Sequence, residues 1–194
     1  MARKRTHTTA SSTWLSGQLL IAMPSMQDPR FERTVLYMCV HSPEGAMGLI
    51  INRTFGEVRF GDLMGQLGIE GASASDRPVH FGGPVDCSRG FVLHSSEFQS
   101  DQTMLVDDHV ALTATKDILR AIADGSGPHQ AIFALGYASW SEGQLDSEIQ
   151  ANAWLTAPAD SDLVFDLDLE SKWERAIARL GINPAMLSGA AGHA

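Results

Sequence analysis

The chain has 194 residues, 44% hydrophobic and 19% charged, an ordinary globular composition. A domain of this length buries roughly 70% of its unfolded surface, so neither a disulfide framework nor a metal staple is required. The formal net charge is −9, residues 1–13 contribute +3 and no acids, and the remainder therefore carries −12, a sign that disfavours direct nucleic-acid binding.

In chain order, residues 1–13 read as a disordered basic tail and residues 14–194 as a single domain. Gly17 to Ala22 predicts a first strand, Met23 to Arg30 a loop, and Thr34 to His41 a buried strand. Ser42-Pro43-Glu44-Gly45 predicts a turn with a connection of four to five residues, and Ala46 to Asn52 the returning strand. Phe60, Leu63, Met64 and Leu67 recur at helical spacing up to Gly68, and the polar stretch from Glu70 to Arg77 reads as a flexible loop.

Pro78 to Phe81 and Arg89 to His94 read as strands either side of a tight Gly82-Gly83-Pro84 hairpin turn, with a further strand over Val110 to Thr113. Thr115 to Asp124 is an amphipathic helix stopped by Gly125, and Gln130 to Tyr137 a buried strand. Ser141 with Gln144, and Ser171 with Glu174, fit capping boxes for two later helices. Between those helices Trp154 and Leu155 read as extended and Leu163 to Asp166 as a short strand; a surface tail follows Asn183.

Strands outnumber helices and come as hairpins, which predicts α+β with a mixed, largely antiparallel sheet and flanking helices. The longest apolar runs, such as Val35 to Val40, are strand-sized, so no membrane span is expected. Cys39 and Cys87 suggest reduced thiols in a cytoplasmic protein, with a bridge between them left open for geometry to decide.

Glycine-punctuated blocks carry a family likeness: Gly45-Ala46-Met47-Gly48 with Asn52, Gly82-Gly83-Pro84-Val85, and Gly136-Tyr137-Ala138 before Trp140. With Leu20 to Pro24, Asp28 to Phe31, Arg89 to His94, Gly143-Gln144-Leu145, Glu148-Ile149 and Ala191 to Ala194, the chain resembles the AlgH/YqgE family of bacterial proteins. The resemblance implies one α+β domain whose sheet splits and curls into a barrel-like body. It supplies no catalytic residue, and the regulatory role suggested for one member in alginate synthesis makes a transcription-linked regulator an alternative. Two positions depart from the family pattern: Val40 precedes His41 where Glu is usual, and Ser139 stands where Gly is common.

No nucleophile, cofactor or metal-ligand motif is complete. Cys39 and His41 share a strand face at i and i+2, about 6.7 Å apart, too far for a thiol–imidazole hydrogen bond. His80, His94 and His109 lack metal-ligand spacing and read as strand-end histidines satisfied by carbonyls. What remains is a ligand-binding cleft where the glycine blocks meet, edged by His41, Asn52, Gly82, Gly83, Arg89, His94, Trp140 and Gln144. No cofactor and no metal are expected. The favoured function is a non-catalytic module binding a small molecule or a protein; the alternative is a hydrolytic enzyme using a strand-end histidine with Arg89 as anion stabiliser.

Overall fold

β1 (Gln18–Ala22), β2 (Val35–Ser42) and β3 (Gly45–Ile50) form an antiparallel meander. Alternation along each strand divides its side chains between two cores. Leu19, Ile21, Val35, Tyr37 and Leu49 join one apolar cluster, whereas Leu20, Ala22, Leu36, Met38 and Ile50 join another. Both faces are covered, which is why these segments read as continuous apolar runs. The computed structural model describes residues 14–71, 76–183 and 186–187; the expected basic tail and most of the C-terminal tail lie outside the described residues.

The remaining elements are β4 (Thr54–Arg59), α1 (Phe60–Gln66), β5 (Pro78–Phe81), β6 (Val85–Ser95), β7 (Met104–Leu105), β8 (Val110–Thr113) and α2 (Lys116–Asp124). They are followed by β9 (Ala131–Ser141), α3 (Gln144–Gln150), β10 (Trp154–Pro158), α4 (Ser161–Phe165) and α5 (Lys172–Ala178). The sheet runs β10-β1-β2-β3-β9-β6-β8-β7, with β5 against β9 and β4 against β5. Its pairings are antiparallel except β5 with β9.

One cluster collects Leu19, Tyr37 and Leu49 from the first half of the sheet with Leu93, Leu112 and Ala134 from the second, under Trp173 and Ile177 of α5. Only a sheet curled on itself brings those faces together, so the architecture is an α+β half-barrel. The outward faces are covered separately, by Leu145 of α3 over β1–β3 and by α1 and α2 over Val79, Val92 and Phe133.

Several expectations are corrected. The β2–β3 connection is only Pro43-Glu44, since Ser42 pairs with Gly45. Leu163 to Asp166 is not a strand: Ser161–Phe165 is the short helix α4, capped by Asp160 Oδ1 accepting from the Leu163 N–H. β4 and β7 escape sequence reading because one is largely exposed and polar and the other only two residues long. Neither capping box forms in full. Ser141 ends β9 while Gly143 takes the cap of α3, though Gln144 Oε1 still accepts from the Ser141 N–H at 3.0 Å. Ser171 caps α5 without a side-chain bond, and Glu174 pairs with Arg33 at 2.8 Å.

Candidate functional site

The glycine blocks do meet, through backbone rather than around a cleft. β5 and β6 are not paired with each other. Both pair with β9, from opposite edges: Phe81 lies opposite Leu135 in parallel register, and Val85 opposite Tyr137 in antiparallel register. Gly82-Gly83-Pro84 therefore straddles β9 instead of making the expected hairpin turn between paired strands. A Cβ on Gly82 would lie 2.3 Å from the Gly136 carbonyl oxygen, and one on Gly83 2.2 Å from the Tyr137 carbonyl carbon. Gly45 joins the same packing, with a Cβ position 2.4 Å from the Trp140 oxygen. Glycine is required here because two main chains cross in contact.

His41 owes its direction to a bulge. The β2–β3 register slips by one residue between Met38 and Val40, so His41 pairs with Ala46, which in turn pairs with Trp140. An unbroken strand would turn His41 to the same face as Tyr37 and Cys39; the extra residue turns it to the face of Ala46 and Trp140. Its Nδ1 accepts from the Leu15 N–H at 3.1 Å, which leaves the ring proton on Nε2, 3.7 Å from Asp146 Oδ2. Trp14 packs edge-on against the ring at 5.3 Å. Cys39 is on the other side, free and buried, its thiol pushed up to about 12 by desolvation. It therefore stays protonated, and no bridge to the exposed Cys87 exists.

Trp140 and Gln144 gather around Glu148. One carboxylate oxygen accepts from Trp140 Nε1 at 2.9 Å and Trp154 Nε1 at 2.8 Å, and the other accepts from Gln144 Nε2 at 2.9 Å. This gives Glu148, unexplained by sequence, a clear role: it holds two indoles under α3.

The other candidates lie elsewhere. Asn52 fastens the turn before β2, accepting from the Val35 N–H and donating to the Arg33 carbonyl. Arg89 is exposed, its guanidinium 5.2 Å from the Phe91 ring centre. His94 is fully buried; Nδ1 donates to the Ser95 carbonyl and Nε2 accepts from Thr113 Oγ1, both at 2.9 Å. Burial holds this imidazole below its usual pKa. His94 pairs with Ala131 and Ala46 with Trp140, so His94 and His41 flank opposite ends of β9, roughly 30 Å apart along the strand.

The histidine that stands out is His80, in the middle of β5. It is 3% exposed, and neither ring nitrogen has a hydrogen-bond partner among the described residues. The expected carbonyls are at hand, those of Phe133 and Pro78, although neither makes a hydrogen bond of good geometry to the ring. The Phe133 and Pro78 carbonyls favour the charged ring, but burial and the nearby Lys172 ammonium outweigh them, lowering its pKa to about 4. Lys172 is itself fully buried, donating to the Ile51 and Val164 carbonyls at 3.2 and 3.0 Å, and desolvation lowers it to about 8.

His80 forms part of the wall of a cavity of about 470 Å³ where β5 and β9 begin, between α1 and α2 on one side and the α4–α5 connection on the other. Phe60, Ile122, Phe133 and Phe165 supply its apolar wall, and Arg77 and Asp166 are among its polar members. Sequence reading weighed His80 only as a metal ligand or a histidine satisfied by carbonyls, because Pro78-Val79-His80-Phe81 gives no sign that its ring borders a pocket. Its one signal was position, inside a strand with apolar neighbours rather than at a strand end. Among the described residues, no group of three or more His, Cys, Asp or Glu side chains is arranged to hold a metal ion.

Fold and cavity together define an α+β half-barrel with a half-open pocket between its helices. Residues 19–185 match the AlgH-like family, and the chain belongs to that family. A UPF0301 protein of Rhodospirillum rubrum is 56% identical over 182 residues, 93% of this chain and 95% of that protein. A UPF0301 protein of Methylobacterium nodulans is 54% identical over 193 residues, 95% and 92% of the two chains. The solution structure of AlgH from Pseudomonas aeruginosa, 42% identical and covering 100% of both chains, has a TM-score of 0.78. A crystal structure of a Corynebacterium diphtheriae protein, 18% identical over 97% of this chain and 94% of that one, shares the fold with a TM-score of 0.70.

Proposed function

We propose that this chain is a non-catalytic binding module of the bacterial cytoplasm, and that its ligand occupies the cavity beside His80. The observation that carries this reading is a ligand-sized pocket of about 470 Å³ with an apolar wall of Phe60, Ile122, Phe133 and Phe165 and a polar rim that includes Asp76, Arg77 and His129. The groups that a hydrolase would use are already committed: His94 by two hydrogen bonds, His41 by Leu15, and the Cys39 thiol by burial. No helix among the described residues is long and apolar enough to cross a membrane.

A second reading places a protein partner on the α3 face. Trp14, 41% exposed, packs against His41 there, beside the exposed Gln144 and Asp146.

A thermal-shift screen of a metabolite library separates the two, using the full chain, His80→Phe and His41→Ala. Hits that persist in His41→Ala and vanish in His80→Phe support the cavity. Hits with the reverse pattern move the site to the α3 face, and a screen without hits overturns small-molecule binding.

A further inference from the structure

Resting on the cavity reading above, we infer that the pocket takes a small zwitterion with an apolar side chain, an amino acid of the aromatic or branched kind, its carboxylate on Arg77 and its ammonium on Asp76.

The rim carries one unpaired charge of each sign. Asp76 and Arg77 are both exposed and both line the pocket. Among the described residues neither belongs to an ion pair, with the other or with a third group. Asp166 and His129, also in the wall, already face partners: Arg175 lies 2.6 Å from Asp166, and Glu97 lies 4.0 Å from His129. A lone anion drawn to Arg77 meets the repulsion of Asp76, and a lone cation drawn to Asp76 meets that of Arg77. A molecule that carries both charges is opposed by neither and leaves neither unpaired.

Arg77 is placed to grip a carboxylate. Its carbonyl accepts from the Phe60 N–H at 2.9 Å, and its Nη1 donates to the Ala131 carbonyl at 3.4 Å. It thereby ties the start of α1 to the start of β9 at the edge of the pocket. A guanidinium has five N–H donors and this bond uses one, so bidentate capture of a carboxylate stays open.

The interior selects the side chain. Phe60 and Phe133 meet edge-to-face at 5.7 Å, with Ile122 and Phe165 in the same wall. A volume of about 470 Å³ suits a small metabolite. An aromatic or branched apolar side chain buries against these rings while the charged end stays at the wet rim. Neither charge is then taken fully out of water, which would be strongly unfavourable.

The test compares phenylalanine with two probes that each lack one of its charges, phenylpropanoate and phenethylamine. Each is titrated into the ¹³C-methyl-labelled full chain at pH 7 while the methyl resonances of Ile122 and Ile132, both in the pocket wall, are followed. The expected result is a saturable shift with phenylalanine and affinities weaker by about tenfold or more for the other two. Arg77→Gln is expected to weaken phenylalanine by a similar factor and leave phenethylamine unchanged, and Asp76→Asn to weaken phenylalanine and leave phenylpropanoate unchanged. A singly charged probe that binds as tightly as phenylalanine, or phenylalanine binding that survives both substitutions, overturns the zwitterion and leaves the pocket in place as a site. Silence from all three probes overturns the zwitterion as well; whether the cavity binds anything is read separately, from the metabolite screen.

Discussion

Glu148 shows how much one side chain can organise. Its carboxylate satisfies Trp140, Trp154 and Gln144 together. Glu148→Ala strands two largely buried indole N–H groups, and the expected loss is about 2–4 kcal/mol in urea unfolding at pH 7, accompanied by a changed tryptophan emission. Glu148→Gln keeps one acceptor oxygen and loses less. Cysteine chemistry is decided equally locally. Cys39 is buried with its thiol raised to about 12, while Cys87 is exposed. A thiol reagent at pH 8 is expected to label one cysteine in the native chain and both after unfolding. Rapid labelling of both in the native state contradicts this burial.

At the scale of elements, β9 is the axis of the design. It accepts β3 and β5 on one edge and β6 on the other, and the chain crosses it at Gly136. Gly83→Ala sets a Cβ 2.2 Å from backbone, at a φ of +152°. The expected loss is more than about 4 kcal/mol, enough to remove the folded protein from soluble expression. Gly56→Ala is the control: its φ is +52° with nothing within 4 Å, and the expected loss in urea unfolding is about 1–2 kcal/mol.

Much of this was legible in sequence. Alternating and continuous apolar runs marked β1, β2 and β3, and helical periodicity with Gly125 marked α2, whose C-cap glycine has a φ of +80°. Gly-Gly-Pro was read as a hairpin turn and instead straddles β9, because that is a long-range relation the local sequence does not record. The Leu163 strand failed because an apolar run of that length suits a helical turn once Asp160 caps it. Among the candidate site residues, Trp140 and Gln144 were brought together around Glu148, whereas His94 and Asn52 turned to structural bonds. The bulge at Cys39, which sets the direction of His41, left no mark in composition or period.

For the molecule as a whole, His80 and Lys172 are buried groups that each disfavour their charged form. His80 titrates near 4 in the folded chain and near 6.5 when unfolded. The unfolded state therefore binds the additional proton between those values, so this contribution to stability is complete above about pH 6.5 and declines as the pH falls toward 4. His94 acts in the same direction. Lys172 titrates near 8 rather than 10.5, so the unfolded chain keeps its proton longer and stability from this group increases as pH rises between those values. Urea unfolding across pH 4–8 is expected to show the acid decline, shallower in His80→Phe.

A buried imidazole without a hydrogen bond of good geometry lowers stability, and His80 is such a group in this chain. The decisive measurement is the unfolding free energy of His80→Phe against the unaltered chain at pH 7. The expected outcome is a variant more stable by about 1–3 kcal/mol, since an apolar ring replaces two unpaired nitrogens. A variant that is equally or less stable would mean that the imidazole is satisfied within the fold by the Phe133 and Pro78 carbonyls.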